Sequence, residues 1–234
     1  MSEAQPQELA AGLWSWACPH PEWKAGEFGA AVNSFAARSG EVLVLIDPLV
    51  PDGSDAEGVL ELIDREARRA ARVAIAITIT YHVRSADPLW RRLGPEGAGR
   101  EVTIHGHPAV ARRLDASERA FVPLEPGVPM PGGAVGHSIG KRKRYETPLE
   151  LPSHDAVVFG DSVVGVEGGL RVWTAKPIDE RVLAFYRDSF NPTLEPLAAL
   201  GPRRILVTHG TSILEDGAAA LRRAIDAPPW YHHG

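Results

Sequence analysis

Apolar positions along this chain fall into two spacings, period two and period 3.6, and the way they alternate predicts an α/β protein. Residues 41–47 (EVLVLID) are a short β-branched run ending at Asp47-Pro48, where proline disfavours continuing a ladder, and they read as a buried strand. Residues 30–37 (AAVNSFAA) precede it across Arg38-Ser39-Gly40, a turn signal that makes the two a hairpin. Over residues 56–71, Val59, Leu60, Leu62 and Ile63 share one helical face while Glu, Asp and Arg fill the other. Residues 72–80 (RVAIAITIT) form the next buried strand. Residues 87–93 (DPLWRRL) form a helix with Asp87 as N-cap and Pro88 at its first position.

Residues 101–104 read as a strand, 108–114 as a short helix, and 123–140 as a long Pro/Gly-rich connection of the kind that lies over active sites. Strands at 146–151 and 156–159 flank the turn Pro152-Ser153-His154-Asp155. Helices at 179–186 and 193–200, a strand at 204–207 and a helix at 218–225 follow. Residues 1–28 are an aromatic-rich lead-in whose Trp14, Trp16 and Trp23 are expected to plug the core, and residues 227–234 a flexible tail. With 234 residues, 44% of them hydrophobic, one core and one domain over 1–234 are expected.

Charge and cysteine usage narrow the partners. A net charge of −5 gives no overall pull toward nucleic acid or anionic membrane, and the single basic run Lys141-Arg142-Lys143-Arg144 reads as a solvated loop. The longest apolar stretch, near 73–79, is too short to cross a bilayer, and the first sixteen residues lack the basic and apolar regions of a signal peptide. Cys18 is the only cysteine, so neither an internal disulfide nor a thiolate zinc pair is available, and its neighbour His20 does not make it a nucleophile. A cytoplasmic protein with a small-molecule substrate or ligand is expected, binding neither nucleic acid nor membrane.

Three strand ends run directly into polar residues: Thr80-Tyr81-His82, Gly160-Asp161 and Thr208-His209-Gly210. Gathered at one sheet rim, they would form a ligand crevice, with Gly160 and Gly210 letting a ligand approach the backbone. LPSHDAVVFGDSVVG (151–165) followed by ILVTHG (205–210) resembles the second half of metallo-β-lactamase-superfamily hydrolases. VNSFAARSGEVLVLIDPLVP resembles that family's opening hairpin. The resemblance implies an αββα sandwich of two mixed sheets with helices outside, in which Asp161 and His209 are metal ligands.

The first half departs from the family. Where Thr-His-x-His-x-Asp-His is expected, this chain has Thr80-Tyr81-His82-Val83-Arg84-Ser85-Ala86-Asp87. Aligning Thr80 with the family threonine puts Tyr81, Val83, Ser85 and Ala86 at ligand positions; shifting by one keeps His82 but substitutes Arg84 and Ala86. Neither register rebuilds a two-metal site. Gly136-His137-Ser138-Ile139-Gly140 looks like a further ligand element, although counting back from Leu151-Pro152 puts that histidine near residues 142–144.

The candidate site is therefore Asp161, His209, His82 and Arg84, with Glu146 and His137 as further ligand or cofactor contacts. Asp161 and His209 would hold at most one divalent metal such as zinc, or none. Arg84 is expected to point toward the Asp161 carboxylate or a ligand on it, replacing part of the missing positive charge. The resemblance implies a hydrolase-like protein with a reduced or lost metal site, acting on an ester, thioester or lactone. The alternatives are a metal-free binding or regulatory module holding a polar or anionic ligand through His82, Arg84 and Glu146, or metal-free acid–base catalysis by His82 or His209. His105 and His107 alternate along a strand edge and read as a packed or solvent-facing pair rather than as ligands.

Overall fold

The computed structural model describes residues 5–20, 22–24, 29–94, 97–140 and 145–232. The aromatic-rich lead-in contains two strands, β1 (Gln7–Ala10) and β2 (Leu13–Pro19). β2 pairs antiparallel with β3 (Ala31–Ser39) along its whole length, from Leu13 opposite Ala37 to Pro19 opposite Ala31. Trp14 and Trp16 enter the core as expected, while Trp23 remains 40% exposed. β3 turns at Gly40-Glu41 into β4 (Val42–Ile46), which is antiparallel to it. A connection this short permits no parallel crossover.

From there the chain builds parallel units. α1 (Ala56–Arg68) crosses to β5 (Arg72–Ile77), and α2 (Ala86–Leu93) to β6 (Glu101–Gly106), each strand lying parallel to its predecessor. β7 (Phe121–Pro123) completes a seven-stranded sheet in sequence order. After β8 (Val135–Gly136), β9 (Leu149–Leu151) and β10 (Ala156–Phe159) comes the separate hairpin of β11 (Val163–Val166) and β12 (Gly169–Val172). Helices α3 (Glu180–Phe185) and α4 (Glu195–Ala199) lead to β13 (Arg204–Val207), and α5 (Gly217–Asp226) follows. The second sheet runs β13-β10-β9-β8, with β13 parallel and β9 antiparallel to β10.

Alternation along the central strands explains the layers. On β4, Val44 and Ile46 join Leu13, Phe35, Leu149, Val158 and Leu206 between the sheets. Leu43 and Leu45 face the other way, against Val59, Leu62, Ile63, Leu89 and Trp90 of α1 and α2. On β10 the neighbours of Val158, Val157 and Phe159, pack outward with Leu197 and Leu221. Successive side chains on a strand point to opposite faces, so a strand covered on both sides reads as an unbroken apolar run. The result is the expected αββα sandwich of two mixed sheets with helices outside.

Local departures have local causes. Glu66 sits on the buried stripe of α1, where Arg38, Arg65 and Arg69 neutralise it. Asp87 does not cap α2, which starts one residue earlier; its carboxylate accepts from the amides of Asp115 and Ser117 instead. The short helix expected over 108–114 is a 3-10 helix over 108–113, and the strand expected over 72–80 stops at Ile77. Among the described residues no helix is long and apolar enough to cross a membrane. The basic run 141–144 and His233 lie outside the described residues.

Candidate metal centre

Two hydrogen bonds bring the rims of the sheets together: Thr147 N–H to the Thr78 carbonyl at 2.7 Å, and Asn33 N–H to the Thr208 carbonyl at 2.7 Å. The Asn33 side-chain Nδ2 donates to the Val207 and Gly210 carbonyls, at 2.8 and 2.9 Å, which fixes the turn carrying His209. β10 and β13 run parallel, so Asp161 and His209 leave the same edge.

At the end of β4, Asp47 adopts a positive φ of 45° and is fully buried. Its carboxylate accepts from Thr78 N–H at 2.8 Å, from the Thr78 hydroxyl and from His82 Nδ1 at 2.9 Å. Donation from Nδ1 leaves His82 Nε2 facing the Asp161 carboxylate, 3.3 Å from Oδ1. From the other side His209 Nε2 stands 3.6 Å from the same oxygen. These three donor atoms all lie within 4.8 Å of one another.

The charges are coupled. Burial alone would raise the Asp161 pKa, but the His82 and His209 imidazoles outweigh it and hold the carboxyl well below its ordinary range. Burial and the Arg84 guanidinium both oppose protonation of His82, yet Asp47 and Asp161 together raise its pKa above the usual value. Glu146 is buried beneath the Asp161 loop, accepting from the Gly160 and Ser162 amides and the Ser162 hydroxyl. Burial and the nearby Asp161 charge raise its pKa to about 7.

No family model matches this sequence, and no curated protein does. Solved structures do match over nearly the whole chain. TMB-1 superposes with a TM-score of 0.65 at 13% identity, covering 96% of each chain. The metallo-β-lactamase from Erythrobacter litoralis gives 0.63 at 15% identity over 97% of this chain and 96% of its own. FIM-1 from Pseudomonas aeruginosa, in its mono-zinc form, gives 0.58 at 12% identity over 95% and 96%. The chain has the metallo-β-lactamase fold.

Within that fold the structure brings His82 to Asp161 and leaves Tyr81 59% exposed, which favours the shifted register of the 80–87 segment. Arg84 follows at a positive φ of 43°, a strained conformation for a residue with a Cβ. Its guanidinium does not pair with the Asp161 carboxylate. NH1 donates instead to the carbonyls of Asp47 at 2.9 Å and Asn33 at 3.3 Å, because the backbone turn aims the side chain back along β3 and β4.

Other expected residues are placed elsewhere. His137 bonds Glu150 at 2.9 Å, outside the cluster, and Glu146 holds the Asp161 loop from below. Gly160 and Gly210 serve chain packing rather than ligand approach. A Cβ on Gly160 would lie 2.8 Å from Thr78 Oγ1, and one on Gly210 would lie 1.8 Å from the Gly165 carbonyl oxygen. His105 bonds Thr103, and burial lowers its pKa to about 4. Burial raises the Cys18 thiol to about 11, so it is no nucleophile at neutral pH.

Two residues near the cluster were not foreseen. Asp47 orients His82, and His20 stacks on His209 with ring centroids 5.9 Å apart. The sequence signals for Asp47 were an acid closing an apolar strand and the resemblance of that hairpin to the family's, which also ends in Asp; neither pointed to a bond with His82. His20 carried none, since it reaches His209 through β2–β3 pairing and the contact of β3 with β13.

Proposed function

We propose that His82, Asp161 and His209 bind one divalent metal ion, zinc foremost, and that the site hydrolyses an ester, thioester or lactone of a small molecule. The observation that carries this reading is the donor spacing. Ligand atoms on a tetrahedral zinc at about 2.0–2.1 Å are separated by roughly 3.3 Å. The carboxylate oxygen here stands 3.3 and 3.6 Å from the two imidazole nitrogens. Two imidazoles and a carboxylate suit zinc, and the bond from His82 Nδ1 to Asp47 is the outer support that metal-bound histidines receive.

One ion is proposed rather than two. Arg84 and Ala86 stand where the shifted register expects further ligands, and a guanidinium disfavours a second cation. FIM-1, which shares the fold, has been described in a mono-zinc form.

A bound divalent ion would supply Lewis acidity, polarising a carbonyl and acidifying a water. The chain supplies the rest. Asp47 sets the His82 tautomer, Glu146 holds the Asp161 loop, and Arg84 turns its remaining N–H groups, which make no hydrogen bond among the described residues, toward an anionic oxygen of the substrate. The partner is a small molecule rather than nucleic acid or membrane, and the compartment is the cytoplasm.

The second reading, a metal-free module for a polar or anionic ligand, draws on the same remaining Arg84 donors, which have no partner among the described residues. A panel of aryl esters, thioesters and lactones incubated with zinc-loaded and metal-free chain separates the two. Zinc-dependent turnover that is lost in Asp161→Ala supports hydrolysis. No turnover across the panel, with unchanged binding of anions to metal-free protein, supports the module.

A further inference from the structure

Two ring contacts flank the rim that carries His82. Arg113 lies over the exposed ring of Tyr81, its Cζ 5.0 Å from the centroid. His107 stacks on Tyr145 with centroids 4.4 Å apart and planes inclined by 26°. Tyr145 is 42% exposed and sits at a φ of 53°, a strained conformation for a bulky residue, from which its ring reaches His107.

Both contacts belong to one stretch of chain, residues 107–113, that follows β6. β5 and β6 end side by side, with Ile77 paired to Gly106, so this stretch stands on the rim from which His82 emerges. Tyr81 adjoins His82 in sequence, and Tyr145 adjoins Glu146, which grips the amides on either side of Asp161. The His107 ring is fixed by accepting the Ala109 amide at 3.1 Å. The Arg113 guanidinium makes no hydrogen bond or ion pair among the described residues. Its contact with Tyr81 orients it and leaves its N–H groups unclaimed.

We propose that Tyr81, Arg113, His107 and Tyr145 form a specificity subsite that selects substrates joining an aromatic ring to a negatively charged group. Exposed aromatic faces on a rim give stacking area at low entropic cost, and a guanidinium beside them with no ion pair among the described residues reads a carboxylate. The inference rests on the hydrolytic reading for its role in substrate choice. Binding at the subsite requires only the rim.

Calorimetric titration of metal-free chain tests it with three probes: 2-naphthoate, cyclohexanecarboxylate and the neutral 2-naphthylmethanol. Wild type is expected to bind 2-naphthoate at least tenfold more tightly than either other probe. Tyr81→Leu and Tyr145→Leu, at exposed positions that leave the core intact, should bring naphthoate down toward cyclohexanecarboxylate. Arg113→Gln should bring it down toward the alcohol. Equal affinity for all three probes, or unchanged naphthoate binding in both leucine variants, overturns the subsite. Naphthoate preference without zinc-dependent turnover upholds the subsite and removes the hydrolytic reading. Turnover without naphthoate preference does the reverse.

Discussion

Asp47 accepts hydrogen bonds from Thr78 and from His82 Nδ1 at a position with no solvent access, so its loss strands buried donors and frees the His82 ring. Asp47→Ala is expected to cost about 3 kcal/mol in urea denaturation, and to weaken zinc binding by roughly 10–100-fold. Unchanged zinc affinity would remove Asp47 from the site. Glu146 makes a second residue-scale case. Its folded pKa, about 7, exceeds its ordinary value of 4.5, so between those values the folded protein holds a proton that the unfolded chain has released. Stability of the metal-free protein should therefore fall as pH rises from about 4.5 to about 7 and level off above, by on the order of 3 kcal/mol from this group. His82, with its raised pKa, loses stability in the same direction as pH rises, so the comparison needs Glu146→Gln. Denaturation midpoints at pH 5 and pH 8 should differ less in that variant than in wild type; an equal difference refutes the assignment. Asp161 and His209 were legible because each sits beside a glycine at the end of an apolar strand. The roles of Asp47 and Glu146 were not, since both act across sequence gaps of 14 to 35 residues.

At the scale of elements, β10 and β13 matched their apolar runs, and the AAVNSFAA–EVLVLID hairpin was legible from its turn. β2 was not. Its burial comes from strands on both sides and from packing against Leu49, whose carbonyl accepts Trp16 Nε1 at 2.7 Å, and none of that is encoded in local spacing. The β11–β12 hairpin is not among the expected elements although Glu167-Gly168 marks its turn, since its first strand is only four residues long and begins inside GDSVVG. Trp16 is 2% exposed and belongs to the core cluster under α1 and α2, so the lead-in is structural. Trp16→Ala should destabilise the protein by about 3–5 kcal/mol in equilibrium denaturation, whereas a loss under 1 kcal/mol would make β2 an accessory strand.

Across the whole molecule, the sandwich follows from one short hairpin and two helical crossovers, and the second sheet's parallel β10–β13 pair places Asp161 and His209 on one edge. The register of the 80–87 segment was open in the sequence because one residue of slip exchanges His82 for Tyr81, and only tertiary contact with Asp47 and Asp161 decides between them. The central claim is that this fold holds a three-donor site for a single divalent ion. Its most direct measurement is a calorimetric zinc titration of metal-free, untagged protein, with elemental analysis of the dialysed product. The account expects one equivalent of zinc per chain, reduced to substoichiometric binding in His82→Ala. Two equivalents per chain, no binding, or one equivalent retained in full after His82→Ala would contradict it.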